Sequence, residues 1–136
     1  MEARQARDLA LMSDREWREK LSAEQYRVLR EAQTEPAFSG RYVDNREPGE
    51  YRCAGCGELL FDSRAKFDGG SGWASFTEPA AATISEHADQ SLGMHRVEVR
   101  CAGCDGHLGH LFPDGPAPTG LRYCINSAAL DFRARK

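Results

Sequence analysis

Five cysteines have a spacing that suggests chemistry. Four of them form two Cys-Ala-Gly-Cys units, 53–56 and 101–104, with 44 residues between the units. Two such turns can direct four sulfurs at one point, which is the tetrahedral ligand set that zinc prefers. Gly55 and Gly103 precede the second cysteine of each unit, where we expect a positive φ angle. The pattern predicts one structural zinc ion per chain. Its ligands would be Cys53, Cys56, Cys101 and Cys104.

Other uses of paired cysteines fit this sequence less well. A thioredoxin-like redox pair needs a βαβ setting, which neither unit has. A c-type haem needs a histidine directly after the second cysteine, where Gly57 and Asp105 stand. A site of three cysteines and His107 is an open alternative, although four thiols already complete a zinc shell.

The fifth cysteine, Cys124, stands apart and is the candidate nucleophile. Residues two apart on a strand share a face, so Arg122, Cys124 and Asn126 would lie together. Tyr123 and Ile125 would then enter the core. A guanidinium beside a thiol favours the reactive thiolate, and an amide can hold a polar ligand. The alternative is that Cys124 is a small buried hydrophobic residue, but its polar neighbours favour the nucleophile.

Two histidines and one tryptophan could complete a site. His107 and His110 follow the second cysteine unit and could exchange protons with a thiolate near neutral pH. A purely structural pair of histidines is equally compatible with their spacing. Trp73 lies in the glycine-rich stretch 70–76, where it could form the wall of a pocket or simply pack the loop.

The elements that must position these residues are short. Capping boxes that begin at Ser13 and Ser22 predict helices over 14–20 and 23–32, the second ended by Glu35-Pro36. Segments 59–61, 95–100 and 121–126 read as strands, and 68–72 and 114–120 as loops. We therefore expect a single domain over 1–136, with a helical cap over 1–33 and a mainly β core over 34–132.

Composition limits the classes of function. The chain has 136 residues with 18 basic and 21 acidic side chains, a net charge of -3, which argues against a nucleic-acid partner. No apolar run is long enough for a membrane span. Residues 1–14 lack the apolar stretch of a secretory signal, so we expect a cytoplasmic protein whose thiols stay reduced.

Further motifs extend through most of the sequence. They include Thr34-Glu35, Leu60-Phe61-Asp62-Ser63, Gly72-Trp73, Ser75-Phe76, Glu98-Val99-Arg100-Cys101, His107-Leu108-Gly109-His110, Pro118-Thr119-Gly120 and Arg122-Tyr123-Cys124-Ile125-Asn126. In this order they resemble the methionine-R-sulfoxide reductases of the B type. The resemblance runs from Thr34 to Phe132, about three-quarters of the chain.

This resemblance implies a fold, a site and a reaction. The fold would be two antiparallel sheets in a tent-like arrangement, with a zinc site far from the active site. Catalysis would involve Cys124, His110 and Arg122, and substrate binding Trp73, His107 and Asn126. The enzyme would be a monomer that reduces the R epimer of methionine sulfoxide, mainly in oxidised proteins. Its Cys124 sulfenic acid would be reduced by thioredoxin or another thiol.

Two positions depart from the family pattern. Ser71 stands where many members carry a resolving cysteine, and Ala74 replaces the proline that usually follows the tryptophan. The first departure leaves no spare cysteine for an internal disulfide. A non-catalytic zinc-ribbon binding module is the competing class, and it accounts for the four paired cysteines but not for the polar strand around Cys124. A thiol-based redox sensor is a third reading.

Overall fold

The computed structural model describes residues 13–135 and shows a mainly β protein with two short helices. The first part of the predicted cap, residues 1–12, lies outside the described residues. In the described chain the strands are β1 (Gly49–Cys53), β2 (Leu59–Asp62), β3 (Lys66–Phe67), β4 (Ala74–Phe76), β5 (Ile84–Asp89), β6 (Arg96–Cys101), β7 (His107–Phe112), β8 (Arg122–Ile125) and β9 (Leu130–Ala134). Short 3-10 helices span Ser63–Ala65, Ser91–Gly93 and Ser127–Ala129. Over this range no helix is both long and apolar enough to cross a membrane.

The strands form two antiparallel sheets. The smaller has the order β2-β1-β9 and the larger the order β3-β4-β8-β7-β6-β5. Aromatic rings fill the space between them: Phe61 of the small sheet stacks on Phe76 of the large one at 4.3 Å between centroids, and Tyr51 meets the same ring edge-on at 5.0 Å. These contacts join the sheets into one core. The predicted class, mainly β with two antiparallel sheets, is confirmed.

Two helices precede the sheets, α1 (Asp14–Lys20) and α2 (Ala23–Leu29). Both predicted capping boxes are present, with Ser13 and Ser22 as the N-caps. The predicted end of the second helix at residue 32 is wrong. Ala32 adopts a left-handed φ of 56°, and the Gln33 amide donates to the carbonyl of Arg27 at 2.9 Å. The helix itself ends at Leu29, and the chain turns away from the helix axis before the proline is reached.

The helices pack over the cysteine-rich end of the molecule. Trp17 is almost fully buried, and a Cβ added at Gly55 would lie 3.4 Å from its ring. Arg30 lies 4.6 Å above the Trp17 ring and donates a hydrogen bond to the carbonyl oxygen of Cys104 at 2.9 Å. The helical segment therefore packs against both Cys-Ala-Gly-Cys units, in which Cys53, Cys101 and Cys104 are buried and Cys56 is partly exposed.

The three predicted strands correspond to β2, β6 and β8, with ends displaced by one residue. The glycine-rich stretch around Trp73 is only partly a loop, because Ala74–Phe76 form β4 at the centre of the packing. Both histidines of interest lie within β7, a strand that the sequence pattern missed. Its glycine and two histidines hide the alternation on which strand prediction depends.

Candidate active site and metal centre

The four paired cysteines meet in one cluster. Their sulfur atoms all lie within 4.8 Å of one another. The Sγ atoms of Cys53 and Cys104 are 3.7 Å apart, and those of Cys56 and Cys101 are 3.5 Å apart. Tetrahedral zinc with Zn–S bonds of about 2.3 Å requires sulfur–sulfur distances of about 3.8 Å. The four cysteines therefore fit a zinc ion, and their soft thiolate donors are the kind that zinc prefers.

The positive φ angles predicted in the cysteine units are at different residues. They occur at Gly57, with φ of 85°, and at Asp105, with φ of 62°, rather than at Gly55 and Gly103. Both left-handed residues directly follow the second cysteine of a unit. Each donates its amide to the carbonyl of that unit's first cysteine, at 2.9 and 2.7 Å. Each unit is therefore one helix-like turn that closes after the second ligand, and the expectation for the preceding glycine was wrong.

The candidate nucleophile, Cys124, lies on the partly exposed face of β8. Along β8, Tyr123 and Ile125 are buried in the core, while Arg122 and Cys124 are partly exposed on the other face. This alternation is the one predicted. Cys124 pairs directly with His110 of β7. Directly paired residues have Cβ atoms about 5 Å apart on one face of a sheet, so thiol and imidazole are neighbours.

Gly109 allows the two strands to approach at this point. A Cβ added at Gly109 would overlap the carbonyl oxygen of Cys124. Only glycine can therefore occupy this position without moving β7 away from β8. A displacement of that kind would separate His110 from Cys124.

A cavity of about 240 Å³ opens beside Cys124. Its lining residues are Thr34, Ser71, Trp73, Arg96, Gly109, His110, Phe112, Arg122, Cys124 and Asn126. Five of the six non-metal residues singled out from the sequence are thus brought together, and His107 is the exception. The cavity is smaller than the roughly 300 Å³ at which pockets for whole small molecules begin, so it suits a single side chain.

His110 is held by a carboxylate that no sequence motif indicated. Its Nε2 lies 2.7 Å from Oδ2 of Asp89, which Arg96 also approaches at 3.4 Å. The hydrogen bonds from His110 and Ser91 hold the pKa of Asp89 well below its usual range. An ionised partner at Nε2 fixes the orientation of the ring and leaves Nδ1 for proton exchange. Asp89 and His110 are 21 residues apart, and only the pairing of β5, β6 and β7 brings them together.

His107 contacts His110 instead of lining the cavity. It is 4% exposed, its Nδ1 lies 2.7 Å from Oε2 of Glu98, and the two histidine rings are 5.5 Å apart. The pairing of β6 with β7 is irregular between Val99 and Arg100. Because of this irregularity, His107 and His110 lie on the same side of β7 although they are three residues apart. Burial lowers the pKa of His107, with Glu98 opposing the effect. The alternative zinc site that used His107 is not favoured, because the metal-binding group that the described residues form consists of the four cysteines without this histidine.

Asn126 organises the wall of the cavity. It is 3% exposed, its Oδ1 accepts the Glu35 amide at 3.0 Å, and its Nδ2 donates to the carbonyl of Leu108 at 3.0 Å. The carbonyl of Glu35 in turn accepts a hydrogen bond from Nε1 of Trp73 at 3.0 Å. The segment around Glu35 is thereby tied to both Trp73 and Asn126, and it orients the indole at the cavity.

The electrostatics at Cys124 combine opposing effects. Burial raises the pKa of the Cys124 thiol, whereas the Ser71 hydroxyl, 3.9 Å from the sulfur, and the Arg122 charge lower it by less. Arg122 is shared with Asp114, to which its Nε donates at 2.8 Å. The guanidinium favours the thiolate as predicted, but burial outweighs it in the free protein.

These opposing effects predict a distinctive pH dependence of thiol reactivity. Since the pKa of Cys124 is raised, its alkylation rate by iodoacetamide should keep rising steeply from pH 6 to pH 9, where an unshifted thiol already begins to level off. Arg122→Ala should lower the rate at pH 7 by about tenfold, because loss of the guanidinium charge raises the pKa of the Cys124 thiol further. Arg122→Lys keeps the charge and serves as the control. A plateau below pH 8 in the wild-type protein would contradict the raised pKa.

Comparison with known proteins identifies the family to which this chain belongs. The SelR domain family matches residues 21–134. The chain is 60% identical over 124 residues to the peptide methionine sulfoxide reductase MsrB of Bradyrhizobium diazoefficiens, covering 90% of this chain and 89% of that protein. The MsrB proteins of Thiobacillus denitrificans and Pseudomonas aeruginosa are each 57% identical, with 90% and 88% of this chain and 94% and 92% of theirs covered.

The chain therefore belongs to the peptide methionine sulfoxide reductase MsrB family. This confirms the resemblance noted in the sequence and makes the protein an oxidoreductase. A non-catalytic zinc module is thereby set aside.

Proposed function

We propose that this protein reduces the R epimer of methionine sulfoxide, mainly within proteins, to methionine. Family membership supports the reaction, and one observation supports the assignment of the nucleophile. Cys124 lines a cavity the size of one side chain and is paired directly with His110. A nucleophile beside a group that can supply a proton is what reduction of a sulfoxide requires.

The proposed chemistry transfers one oxygen atom. The Cys124 thiolate attacks the sulfoxide sulfur while His110, through Nδ1, supplies a proton to the sulfoxide oxygen, directly or through a water molecule. The attack joins the Cys124 sulfur to the methionine sulfur, which now carries a hydroxyl group. The hydroxyl group then moves to the Cys124 sulfur while the methionine sulfur loses its bonds to oxygen and to Cys124, so methionine leaves and a sulfenic acid is left on Cys124. Methionine sulfoxide plus thiol thus becomes methionine plus sulfenic acid, with no atom unaccounted for. Asp89 acts as a positioning residue that holds the His110 ring.

The remaining predicted site residues contact the substrate or the thiolate, or hold other groups of the site in place. Trp73 packs against the methyl group of the substrate. Arg122 stabilises the Cys124 thiolate and attracts the polar sulfoxide group. Asn126 acts by holding the cavity wall, since both ends of its amide are bound to main-chain groups. His107 supports His110 from within the sheet, consistent with its ring contact.

Turnover of the two separated sulfoxide epimers tests the proposal. A short peptide containing either epimer is supplied with dithiothreitol as the reductant, and methionine formation is measured by mass spectrometry. We expect the R epimer to react at least about a hundredfold faster, because the cavity walls distinguish the two arrangements at sulfur. Equal rates would contradict the stereochemical assignment, and no reaction with either epimer would contradict the function.

We also propose that the four-cysteine cluster binds one structural zinc ion per chain. Four thiolates fill its coordination shell, so the ion would stabilise the fold and leave no position for a substrate. The cluster packs against the helices, whereas the cavity is on the β8 face, consistent with separate roles.

Recycling of the sulfenic acid is proposed to depend on an external thiol, such as thioredoxin. The other four cysteines are gathered in the metal cluster, and the group beside Cys124 is the Ser71 hydroxyl. A hydroxyl cannot form a disulfide, so an added thiol must attack the Cys124 sulfenic acid directly.

Wild-type protein without a reductant should therefore convert one equivalent of substrate and stop. Dimedone should then label Cys124, and mass analysis should find no intramolecular disulfide. Ser71→Cys should form a disulfide with Cys124 after turnover, because the two side chains already lie 3.9 Å apart. Ser71→Ala is the control and should keep the labelled sulfenic acid. A bridge between Cys124 and a cluster cysteine in oxidised wild type would contradict this scheme.

A further inference from the structure

Two large hydrophobic side chains are exposed among those that the structure describes. Phe38 is 73% exposed and Met94 is 44% exposed. Both belong to segments that contribute residues to the Cys124 cavity, one through Thr34 and the other through Arg96. Exposed apolar side chains beside a binding site commonly mark a surface for a partner.

Phe38 is held in an unfavourable backbone conformation. Its φ is 66°, a left-handed value that bulky residues rarely adopt. Its amide donates to the carbonyl of Gly72 at 2.7 Å, and a Cβ added at Gly72 would lie 3.1 Å from the Phe38 ring. The ring therefore lies beside the loop that carries Trp73. A strained backbone that displays an aromatic ring to solvent points to a function for that ring.

Met94 lies two residues before the cavity residue Arg96. It follows the 3-10 helix in the turn between β5 and β6, where its amide donates to the carbonyl of Ser91 at 3.1 Å. Arg96, two residues later, lines the cavity and donates to the Ser91 hydroxyl at 3.3 Å. The turn that carries Met94 is thus fixed to a cavity residue.

Trp73 and Arg96, the cavity residues next to the segments that carry Phe38 and Met94, are diagonal to each other across Cys124. Strands β4 and β6 are separated by β8 and β7, a distance of about 14 Å at normal strand spacing. Trp73 is level with the Asn126 end of β8, and Arg96 with the Arg122 end, about 13 Å further along. The diagonal is on the order of 20 Å, the length of about six extended residues.

We propose that Phe38 and Met94 form a docking surface for the apolar residues that flank an oxidised methionine in an extended polypeptide. The inference rests on the proposed function. The cavity admits one side chain, so the rest of a polypeptide substrate must cross its rim. Oxidation makes methionine polar and disrupts the apolar core around it, so the loosened segments present apolar neighbours. Contacts about three residues either side of the sulfoxide would reach both exposed side chains.

Three substrates test the docking surface: N-acetyl-methionine sulfoxide, a nonapeptide with central sulfoxide flanked by leucines, and the same peptide flanked by serines. Phe38→Gly removes the ring and suits the left-handed backbone, so its melting temperature should equal or exceed that of wild type. We expect kcat/KM for the leucine peptide to fall about fivefold, with the other two substrates unchanged. Met94→Ser should show the same selectivity.

Phe38→Tyr keeps an aromatic ring and should retain the wild-type preference for the leucine peptide. An equal loss on all three substrates would overturn the proposal, because Phe38 would then only shape the cavity. Unchanged kcat/KM for the leucine peptide would overturn it as well. Wild-type protein that reduces none of the substrates would instead refute the proposed function, and the docking surface with it.

Discussion

Replacing Cys124 by serine is expected to lower sulfoxide reduction by at least about a thousandfold. A serine hydroxyl is not ionised near neutral pH and is a far weaker nucleophile than a thiolate. Cys124 is only partly buried, and the substitution changes one atom, so the fold should be unaffected. Single-turnover measurement of methionine formation from the peptide R epimer checks this result, since it does not depend on the recycling step.

Ser71→Ala is the matched control for Cys124→Ser. It removes a hydroxyl that approaches the same sulfur atom but is not required for the attack, so turnover should persist. Both variants should keep wild-type melting temperatures. Substantial sulfoxide reduction by Cys124→Ser would show that another group is the nucleophile.

Replacing Cys101 by serine should remove the metal and most of the stability of the fold. Structural zinc contributes on the order of 10 kcal/mol to folding, which is comparable to the total stability of a typical domain. Cys101 is fully buried at the end of β6, so loss of the ion would also leave unpaired polar groups inside the protein. Elemental analysis should find one zinc per wild-type chain and none in the variant, and circular dichroism should show a loss of ordered structure.

Cys124→Ser is the matched control for the cluster variants. It also replaces one cysteine by serine, but outside the cluster, so it should retain one zinc ion and the native spectrum. Removal of the ion from the wild-type protein with a strong chelator should reproduce the unfolding seen for Cys101→Ser. A metal-free wild-type protein that keeps its fold and melting temperature would contradict the structural role.

Local patterns in the sequence determined several features of this protein. The spacing of the two Cys-Ala-Gly-Cys units predicted a cluster whose sulfurs are gathered as zinc requires, because each turn directs its own ligands. The capping boxes at Ser13 and Ser22 predicted where both helices begin, because capping depends on residues three apart. The alternation in β8 predicted the face that carries Cys124, because strand geometry repeats every two residues.

Only the tertiary structure decided how the site is assembled. The pairing of β7 with β8 places His110 opposite Cys124. The pairings of β5 with β6 and of β6 with β7 together bring Asp89 to His110. The burial that raises the pKa of Cys124 depends on the surrounding chain and opposes the effect of Arg122, which the local sequence suggested. Hydrogen bonding and desolvation between distant segments depend on strand order and register. A pattern confined to neighbouring residues determines neither the strand order nor the register.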